Sequence, residues 1–302
     1  MIDKTHLVLT PEIESALAAN AGVVALESTV IAHGLPRPQN VETARRLEEI
    51  VRETGATPAT IAILGGQLRV GLTSKDIHFI ADSDAIRKVS IRDVPLAVAQ
   101  KWNGATTVAS TSWIAARAGI KVFATGGIGG VHRGSLPDIS GDLPALAATQ
   151  IVVVCSGAKI VLDLPATREW LETYGITVVG YQCDELPAFY SRSSGLPVDT
   201  RADSPAEVAE IFRAQQALGI ERALLVTVPV PAEFEIPAAS LERSLNAALH
   251  EAEQQKVGGR DLTPFLLSHM ATVSEGATLR TNTALLENNA RVAAQIARTL
   301  VA

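Results

Sequence analysis

The sequence has few aromatic residues, few cysteines and no long apolar run. Of its 302 residues, 4% are aromatic and two are cysteines, Cys155 and Cys183, whose spacing matches no metal-binding motif. Cys155 ends an apolar strand, so we expect a reduced and buried thiol there. No window reaches the roughly 18 uninterrupted apolar residues of a membrane helix, which argues against a membrane partner.

Basic clusters and a targeting segment are also missing. The net charge is −6 and no run of Lys or Arg stands out, so nucleic acid is excluded as a partner class. The segment Met1–His6 lacks the basic start and long apolar core of a signal peptide, which predicts a cytoplasmic protein. What the chain does contain is 47% hydrophobic residues, mostly Ala, Val, Leu and Ile, which is ample for a core.

Buried strands alternate with helical segments along most of the chain. The strands Val122–Thr125 and Ile151–Cys155 are examples, and each runs into small residues. Two segments, Thr60–Leu64 and Gln67–Leu72, are joined by Gly65-Gly66 and predict a two-residue hairpin. The repeated β-then-α order predicts a three-layer α/β/α sandwich with a mostly parallel sheet plus this inserted hairpin. No linker divides the chain, so residues 1–302 are predicted to form a single domain.

Helix boundaries follow from capping and helix-breaking residues. Asn40 is expected to cap a helix from Val41 to Thr54. A short helix is predicted over Ile114–Ala118, where Gly119 ends it, and a long one over Thr283–Leu300 at the end of the chain.

Chemically active side chains follow two of the buried strands. The first strand runs into Gly126-Gly127-Ile128-Gly129-Gly130 and then His132, and the second into Ser156-Gly157-Ala158 and then Lys159. Ligands of open α/β sheets bind at the carboxyl ends of strands, so we expect a site for a small phosphorylated substrate there. The glycine run matches neither a dinucleotide fingerprint nor a P-loop, and a phosphate cradle and a tightly packed turn are equally open.

Lys159 is the candidate nucleophile of this site. A lysine amine reacts only when deprotonated, a state that burial or a neighbouring cation favours. Lys88, His132 or Arg133 is the candidate cation. Glu27 follows another buried strand and is a candidate general acid or base, with an ion-paired or helix-capping glutamate as the alternative.

Two aspartates lie between the strands. Asp138 and Asp142 are four residues apart, and hard oxygen ligands of this kind suit Mg²⁺ or Mn²⁺ ions that keep several waters. The alternative is that Asp142 caps a helix beginning near Leu143.

Short strings of the sequence carry a resemblance to a known family, from about residue 12 to the C-terminus. They are, among others, Ala25-Leu26-Glu27-Ser28-Thr29, His33-Gly34-Leu35-Pro36, Lys88-Val89-Ser90, TGGIGGVHRG at residues 125–134, Asp138-Ile139-Ser140, Cys155-Ser156-Gly157-Ala158-Lys159 and Asn288-Asn289-Ala290-Arg291. In this order they resemble the pseudouridine-5′-phosphate glycosidases, also described as indigoidine-synthase-A-like.

The resemblance implies an enzyme that cleaves, reversibly, the C–C bond between uracil and ribose 5-phosphate in pseudouridine 5′-phosphate. It implies that Lys159 is the nucleophile and Glu27 the proton donor. It also implies a homotrimer and a divalent metal on Asp138, usually manganese, with magnesium or iron as alternatives. The implied substrate contacts are Lys88, Val108, Ser140, Gly141 and Asp142, and we expect His132 and Asn289 to line the same site. The family usually has alanine where this chain has Gly141 and Ser156.

The chemistry of the bond explains why an amine is required. The leaving atom is a carbon of uracil, which is a poor leaving group for simple oxocarbenium chemistry. A lysine that has opened the sugar at C1′ can expel this carbon by forming an imine, and a carboxylate cannot. Two alternatives stay open: an aldolase-type Schiff-base enzyme acting on sugar phosphates, and a non-catalytic nucleotide-sensing protein that would tolerate loss of Lys159.

Overall fold

The structure, a computed structural model, describes residues 6–133, 138–255, 257 and 262–302. Gly134, the last residue of the glycine-rich string, lies outside the described residues, as do the first five residues on which the cytoplasmic prediction partly rests. The strands are β1 (Leu7–Leu9), β2 (Val23–Glu27), β3 (Thr57–Leu64), β4 (Gln67–Val70), β5 (Arg87–Val89), β6 (Gly104–Thr106), β7 (Val122–Ala124), β8 (Val131–His132), β9 (Val152–Cys155), β10 (Leu162–Asp163), β11 (Thr177–Tyr181), β12 (Thr200–Ala202) and β13 (Leu224–Thr227).

The helices alternate with these strands until β13 and then close the chain. They are α1 (Pro11–Ala18), α2 (Gln39–Glu53), α3 (Ser74–Asp82), α4 (Val94–Ala99), α5 (Val108–Arg117), α6 (Asp142–Leu146), α7 (Leu164–Thr173), α8 (Pro205–Ala217), α9 (Ala238–Gln254), α10 (Leu262–Val273) and α11 (Ala277–Val301). Shorter helical turns cover Val30–Gly34, Ile91–Asp93 and Ala232–Phe234. Within the described ranges, no helix is both long and apolar enough to cross a membrane.

A mostly parallel sheet forms the centre of the molecule. Its main order is β1-β4-β3-β2-β7-β9-β13-β11-β12, with β6 and β5 attached beside β3. The strands from β3 through β2, β7, β9, β13 and β11 to β12 are parallel neighbours. The pair β3–β4 is the predicted antiparallel hairpin, and Gly65 and Gly66 adopt the positive φ values, 58° and 81°, of its two-residue turn.

Helices cover the sheet on both faces, as the sequence predicted. Helix α11 contacts β2, β7 and β9 on one face and packs against α2 and α8, whereas α5 contacts β2 and β3 and packs against α6. All five residues of β2 are buried, which is expected of a strand between two helical layers. The predicted α/β/α sandwich with its inserted hairpin is confirmed.

Three helix boundaries differ from the sequence prediction. Asn40 is not the cap of α2, because it lies inside the first turn and its Nδ2 donates to Ile31 O at 3.0 Å and to Ala81 O at 3.1 Å. Helix α5 begins six residues earlier than predicted. Its Ser and Thr residues are poor helix formers, but Ser110 Oγ donates to Val89 O at 2.7 Å and is thereby satisfied. Helix α11 begins directly after Gly276 rather than at residue 283.

Candidate active site

The carboxyl ends of β2, β7 and β9 bring the predicted acid and the predicted nucleophile to one edge of the sheet. Leu26 is paired with Ala124, and Ala124 with Val154, so the residues that follow these strands are neighbours. Glu27 ends β2 and its Oε1 accepts a hydrogen bond from Thr125 Oγ1, directly after β7. The parallel register therefore explains why residues that are distant in sequence meet here.

Glu27 carries a buried carboxyl group at this edge of the sheet. The residue is 8% exposed, and burial raises the pKa of Glu27 above its ordinary value of 4.5. The positive charge of Lys159 and the Thr125 hydroxyl act in the opposite direction, and burial is the larger effect. A carboxyl group with a raised pKa keeps its proton closer to neutral pH, as a general acid requires.

The glycine run and the loop before Lys159 extend the ladder of β7 and β9. Ile128 N donates to Gly157 O at 3.1 Å, and Lys159 N donates to Ile128 O at 3.1 Å. The backbone of Lys159 is therefore fixed by the glycine run. Gly127 leaves room for a neighbour, because a Cβ on it would lie 2.7 Å from the Phe189 ring. Close packing, the second of the two sequence interpretations, thus accounts for this glycine.

Lys159 and Glu27 line one large cavity, which we call the polar lobe. It has a volume of about 550 Å³. Its lining includes seven further residues that the sequence analysis assigned to the site: Lys88, Val108, His132, Asp138, Ser140, Gly141 and Asp142. The structure thus brings together nine of the ten predicted site residues, all except Asn289.

Two of the three candidate cations share the polar lobe with Lys159. Lys88 lies on β5, and His132 lies on β8, which pairs with β10 just beyond Lys159. Burial lowers the pKa of His132 below 6.5; Asp138 opposes this effect, and the charges of Lys88 and Lys159 add to it. Arg133 is exposed, and its Nε donates to Leu162 O at 3.2 Å.

A second, less polar space adjoins the first, and we call it the apolar lobe. It shares Glu27, Lys88 and Lys159 with the polar lobe and is otherwise lined largely by Val30, His33, Phe189, Pro264, Leu267 and Asn282. It adjoins a further cavity of about 390 Å³, which shares the lining residues His33, Pro264, Leu267 and Asn282. Helix α10 therefore supplies one wall of this lobe.

Asp142 connects two segments beside the polar lobe through its carboxylate. It is 6% exposed, its Oδ1 accepts from Ala109 N at 2.9 Å, and its Oδ2 accepts from Gly129 N at 2.8 Å. It is the first residue of α6 and not the cap of that helix. Its carboxylate instead joins the first turn of α5 to the glycine run.

Asp138 lies on the solvent side of the polar lobe. Its side chain is exposed, and its backbone O accepts from His132 N at 2.8 Å. Among the described residues, no group of three or more His, Cys, Asp or Glu side chains could hold a metal. A divalent ion bound at Asp138 would thus take most of its ligands from water and substrate. Mg²⁺ and Mn²⁺ accept such a donor set.

Asn289 does not line the substrate site, although the sequence analysis predicted that it would. It is 0% exposed and lines neither lobe. Its Nδ2 donates to Thr125 O at 2.9 Å and lies 3.1 Å from Ser156 Oγ. Asn289 therefore binds the residues that follow β7 and β9 and does not reach the space that a substrate would fill.

The sequence analysis missed several residues that line the two lobes or lie directly behind them. Thr125 was quoted only as part of a string, although it donates a hydrogen bond to Glu27. Thr29 lines both lobes, and Thr263 on α10 does as well. The position of Thr125, between a buried strand and a glycine run, was a usable signal. Thr263 had none, because it reaches the site only through the packing of α10.

Comparison with known proteins identifies the family. The model of the indigoidine synthase A like protein family matches residues 12–299. The chain belongs to this family. A pseudouridine-5′-phosphate glycosidase of Caldanaerobacter subterraneus is 50% identical over 291 residues, which cover 96% of this chain and 95% of the relative. One of Geobacillus kaustophilus is 49% identical, with 97% and 98% of the two chains covered. The family resemblance inferred from the sequence is confirmed.

Solved structures of two relatives have the same fold. An indigoidine synthase A-like protein of Thermotoga maritima is 38% identical and superposes with a TM-score of 0.91, covering 98% of this chain and 97% of the other. The prealnumycin C-glycosynthase AlnA, in complex with ribulose 5-phosphate, is 41% identical, with a TM-score of 0.90 and the same coverage. The second relative binds a pentose phosphate and is named as a C-glycosynthase.

Proposed function

We propose that this protein cleaves the C–C glycosidic bond of pseudouridine 5′-phosphate to give uracil and ribose 5-phosphate, in a reversible reaction. The observation that carries the proposal is that Glu27 and Lys159 line the same cavity, at the carboxyl ends of β2 and β9, which the sheet holds on either side of β7. The glycosidase relatives and the pentose phosphate bound by the C-glycosynthase support the same chemistry.

The first step opens the sugar ring. The neutral amine of Lys159 attacks C1′, the bond between C1′ and O4′ breaks, and O4′ takes the proton of Glu27. Burial of Glu27 supports this role, because it favours the protonated carboxyl group that the step consumes. The new C–N bond leaves a proton on nitrogen, and its transfer to Glu27 restores the acid.

The second step breaks the C–C bond. Glu27 protonates C5 of uracil, the electron pair of the C1′–C5 bond returns to the uracil ring, and the nitrogen lone pair forms an iminium at C1′. Water adds to the iminium carbon, and the C–N bond breaks to release ribose 5-phosphate as the aldehyde. Proton transfer from Lys159 to Glu27 then regenerates both groups. One water is consumed for each uracil released.

The two lobes suggest how the substrate is oriented. The polar lobe offers Lys88, Ser140 and Val108, the first residue of α5, where the positive end of the helix dipole favours a phosphate. The apolar lobe offers the Phe189 ring and the Asn282 amide, which suit a flat base with polar edges. We therefore place ribose 5-phosphate in the polar lobe and uracil in the apolar lobe, with C1′ between them beside Lys159.

A divalent cation, usually manganese in the implied family, would be held by Asp138, with water and substrate completing its ligands. When bound there it would supply positive charge that neutralises the phosphate or orders water. The steps above run through Lys159 and Glu27.

The direct test is uracil release from pseudouridine 5′-phosphate, followed by chromatography in the presence of Mn²⁺. We expect the natural chain to release uracil and Lys159→Ala to release none. Lys121→Ala is the matched control, because Lys121 is an exposed lysine next to β7 at the opposite edge of the sheet. If the natural chain, folded and loaded with metal, releases no uracil, the aldolase-type alternative gains support. If Lys159→Ala is as active as Lys121→Ala, the nucleophile is wrong.

The homotrimer and the cytoplasmic location stay predictions. The resemblance is the support for the trimer, and sedimentation equilibrium of the purified chain tests it. A monomer at micromolar concentration would contradict the trimer.

A further inference from the structure

Asn289 is a polar residue inside an apolar layer. It lies in the middle of α11 and is 0% exposed, as are its helix neighbours Leu285, Ala290 and Ala293. An asparagine is unfavourable in a helix interior, and a buried amide without partners is strongly destabilising. A side chain with both costs must find its partners in the protein.

The partners of Asn289 come from two strand ends. Its Nδ2 donates to Thr125 O at 2.9 Å, directly after β7. The same amide group pairs with the Ser156 hydroxyl, directly after β9, at 3.1 Å from Nδ2 and 3.3 Å from Oδ1. The amide therefore bridges two neighbouring parallel strands just where their ladder becomes the active site.

Each strand end leads directly to a reacting group. Thr125 donates through Oγ1 to Glu27, so the position of the Thr125 backbone controls the hydrogen bond on the acid. Ser156 lies three residues before Lys159, and its N donates to Gly126 O at 2.9 Å. Asn289 is thus connected to the acid through one residue and to the loop of the nucleophile through another.

We propose that Asn289 is a positioning residue that fixes Glu27 and Lys159 relative to each other through Thr125 and Ser156. This inference rests on the function proposed above, because it assigns these two groups to one reaction. Asn289 itself touches no substrate.

The variant Asn289→Ala leaves Thr125 O and Ser156 Oγ without this partner and lets the two strand ends shift. Because misplacement of reacting groups by about 1 Å lowers rates about 100-fold, we expect kcat to fall about 10-fold to 100-fold. The KM for pseudouridine 5′-phosphate should change little, since the lining of both lobes is intact.

The pH profile separates positioning from a purely structural role. The Thr125 hydroxyl favours the ionised form of Glu27 and so holds its pKa below the value that burial alone would give. If Thr125 moves, this bond weakens and the pKa of Glu27 rises further. The alkaline fall in activity caused by ionisation of Glu27 should then shift to higher pH in Asn289→Ala.

Two further variants serve as controls. Asn288→Ala changes the neighbouring asparagine of the same helix, whose Nδ2 lies 3.5 Å from Pro229 O, and should leave kcat and the pH profile unchanged. Ser156→Ala keeps the bond between Asn289 and Thr125 and should have a smaller effect than Asn289→Ala. If Asn289→Ala does not fold, the nearly isosteric Asn289→Asp replaces it. We expect the same loss of rate, because an aspartate side chain lacks the NH2 group that donates to Thr125 O.

The experiment measures two rates for each variant over a range of pH: uracil release, and trapping of ribose 5-phosphate on Lys159 by cyanoborohydride. The inference predicts that Asn289→Ala slows both rates and shifts the alkaline limb, whereas Asn288→Ala does neither. The inference would be overturned if the two variants had equal rates and lost activity over the same alkaline pH range. Trapping without uracil release in the natural chain would overturn the proposed function alone, and the trapping rates would still decide the role of Asn289.

Discussion

The cavity has two walls that are built in different ways. The inner wall carries Glu27, which is 8% exposed, and Lys159. Thr125 and Ser156 lie behind this wall, are 1% and 0% exposed, and are connected to Glu27 and to each other by hydrogen bonds that include Asn289. The outer wall consists of Asp138 and Ile139, and Ile139 is 43% exposed. The groups assigned to bond breaking belong to the inner wall, and the proposed metal ligand belongs to the outer wall.

This difference indicates that the two walls have different functions. The inner wall sets the protonation and the orientation of the reacting groups, for which burial and fixed partners are needed. The outer wall meets the substrate from the solvent side, where water can complete the ligands of an ion. Changes in the inner wall should therefore have larger effects than changes in the outer wall.

The largest effect is expected from Glu27→Gln. The amide cannot deliver a proton, so the rate of uracil release should fall by a factor of about 100 to 10,000 while the fold is kept. Glu48→Gln is the matched control. Burial also raises the pKa of Glu48, and its Oε1 accepts from Thr60 Oγ1 at 2.6 Å, but Glu48 lies on α2 and lines neither lobe. Near-normal turnover by Glu27→Gln would remove Glu27 from the mechanism.

Gly157→Ala tests the packing of the inner wall. Gly157 has φ +81°, and a Cβ on it would collide with Pro187 O, so we expect a loss of about 2 to 5 kcal/mol in the free energy of unfolding. Gly195→Ala shares the positive φ, +76°, without any atom within 4 Å of the added Cβ, and should lose only about 1 kcal/mol. Urea denaturation measures both values. Equal losses would show that the close approach at Gly157 adds nothing.

Asp138→Asn tests the outer wall. It weakens one ligand of a mostly hydrated ion, so we expect a reduction in rate of about 10-fold that added Mn²⁺ partly restores. Asp82→Asn, at an exposed aspartate outside the site, is the control. If chelation and Asp138→Asn both leave the rate unchanged, the metal is dispensable.

The smallest effect is a pH dependence of stability. Folding raises the pKa of Glu27 above 4.5, so between that value and the folded pKa the unfolded state loses its proton while the native state keeps it. The free energy of unfolding of the natural chain should therefore fall, relative to Glu27→Gln, by at most about 1.4 kcal/mol for each pH unit in this window. Urea denaturation from about pH 4 to about pH 8 measures it. A difference that is constant or has the opposite sign would contradict the raised pKa.

The sequence predicted the inner wall better than its supports. Glu27 and Lys159 could be found because each follows a buried strand, and parallel strands align their carboxyl ends. The role of Asn289 could not be found, because a helix of 25 residues does not reveal which strand ends it will cover. Asn40 was misread for the same reason, since its amide partners, Ile31 and Ala81, are distant in sequence.

Formation of a covalent adduct on Lys159 tests the account most directly. The natural chain is incubated with pseudouridine 5′-phosphate and borohydride, digested, and analysed by mass spectrometry. The account predicts the mass of a ribityl phosphate on the peptide that contains Lys159, and no such mass in Lys159→Ala. Uracil release without any adduct on Lys159, or equal trapping by Lys159→Ala, would contradict it.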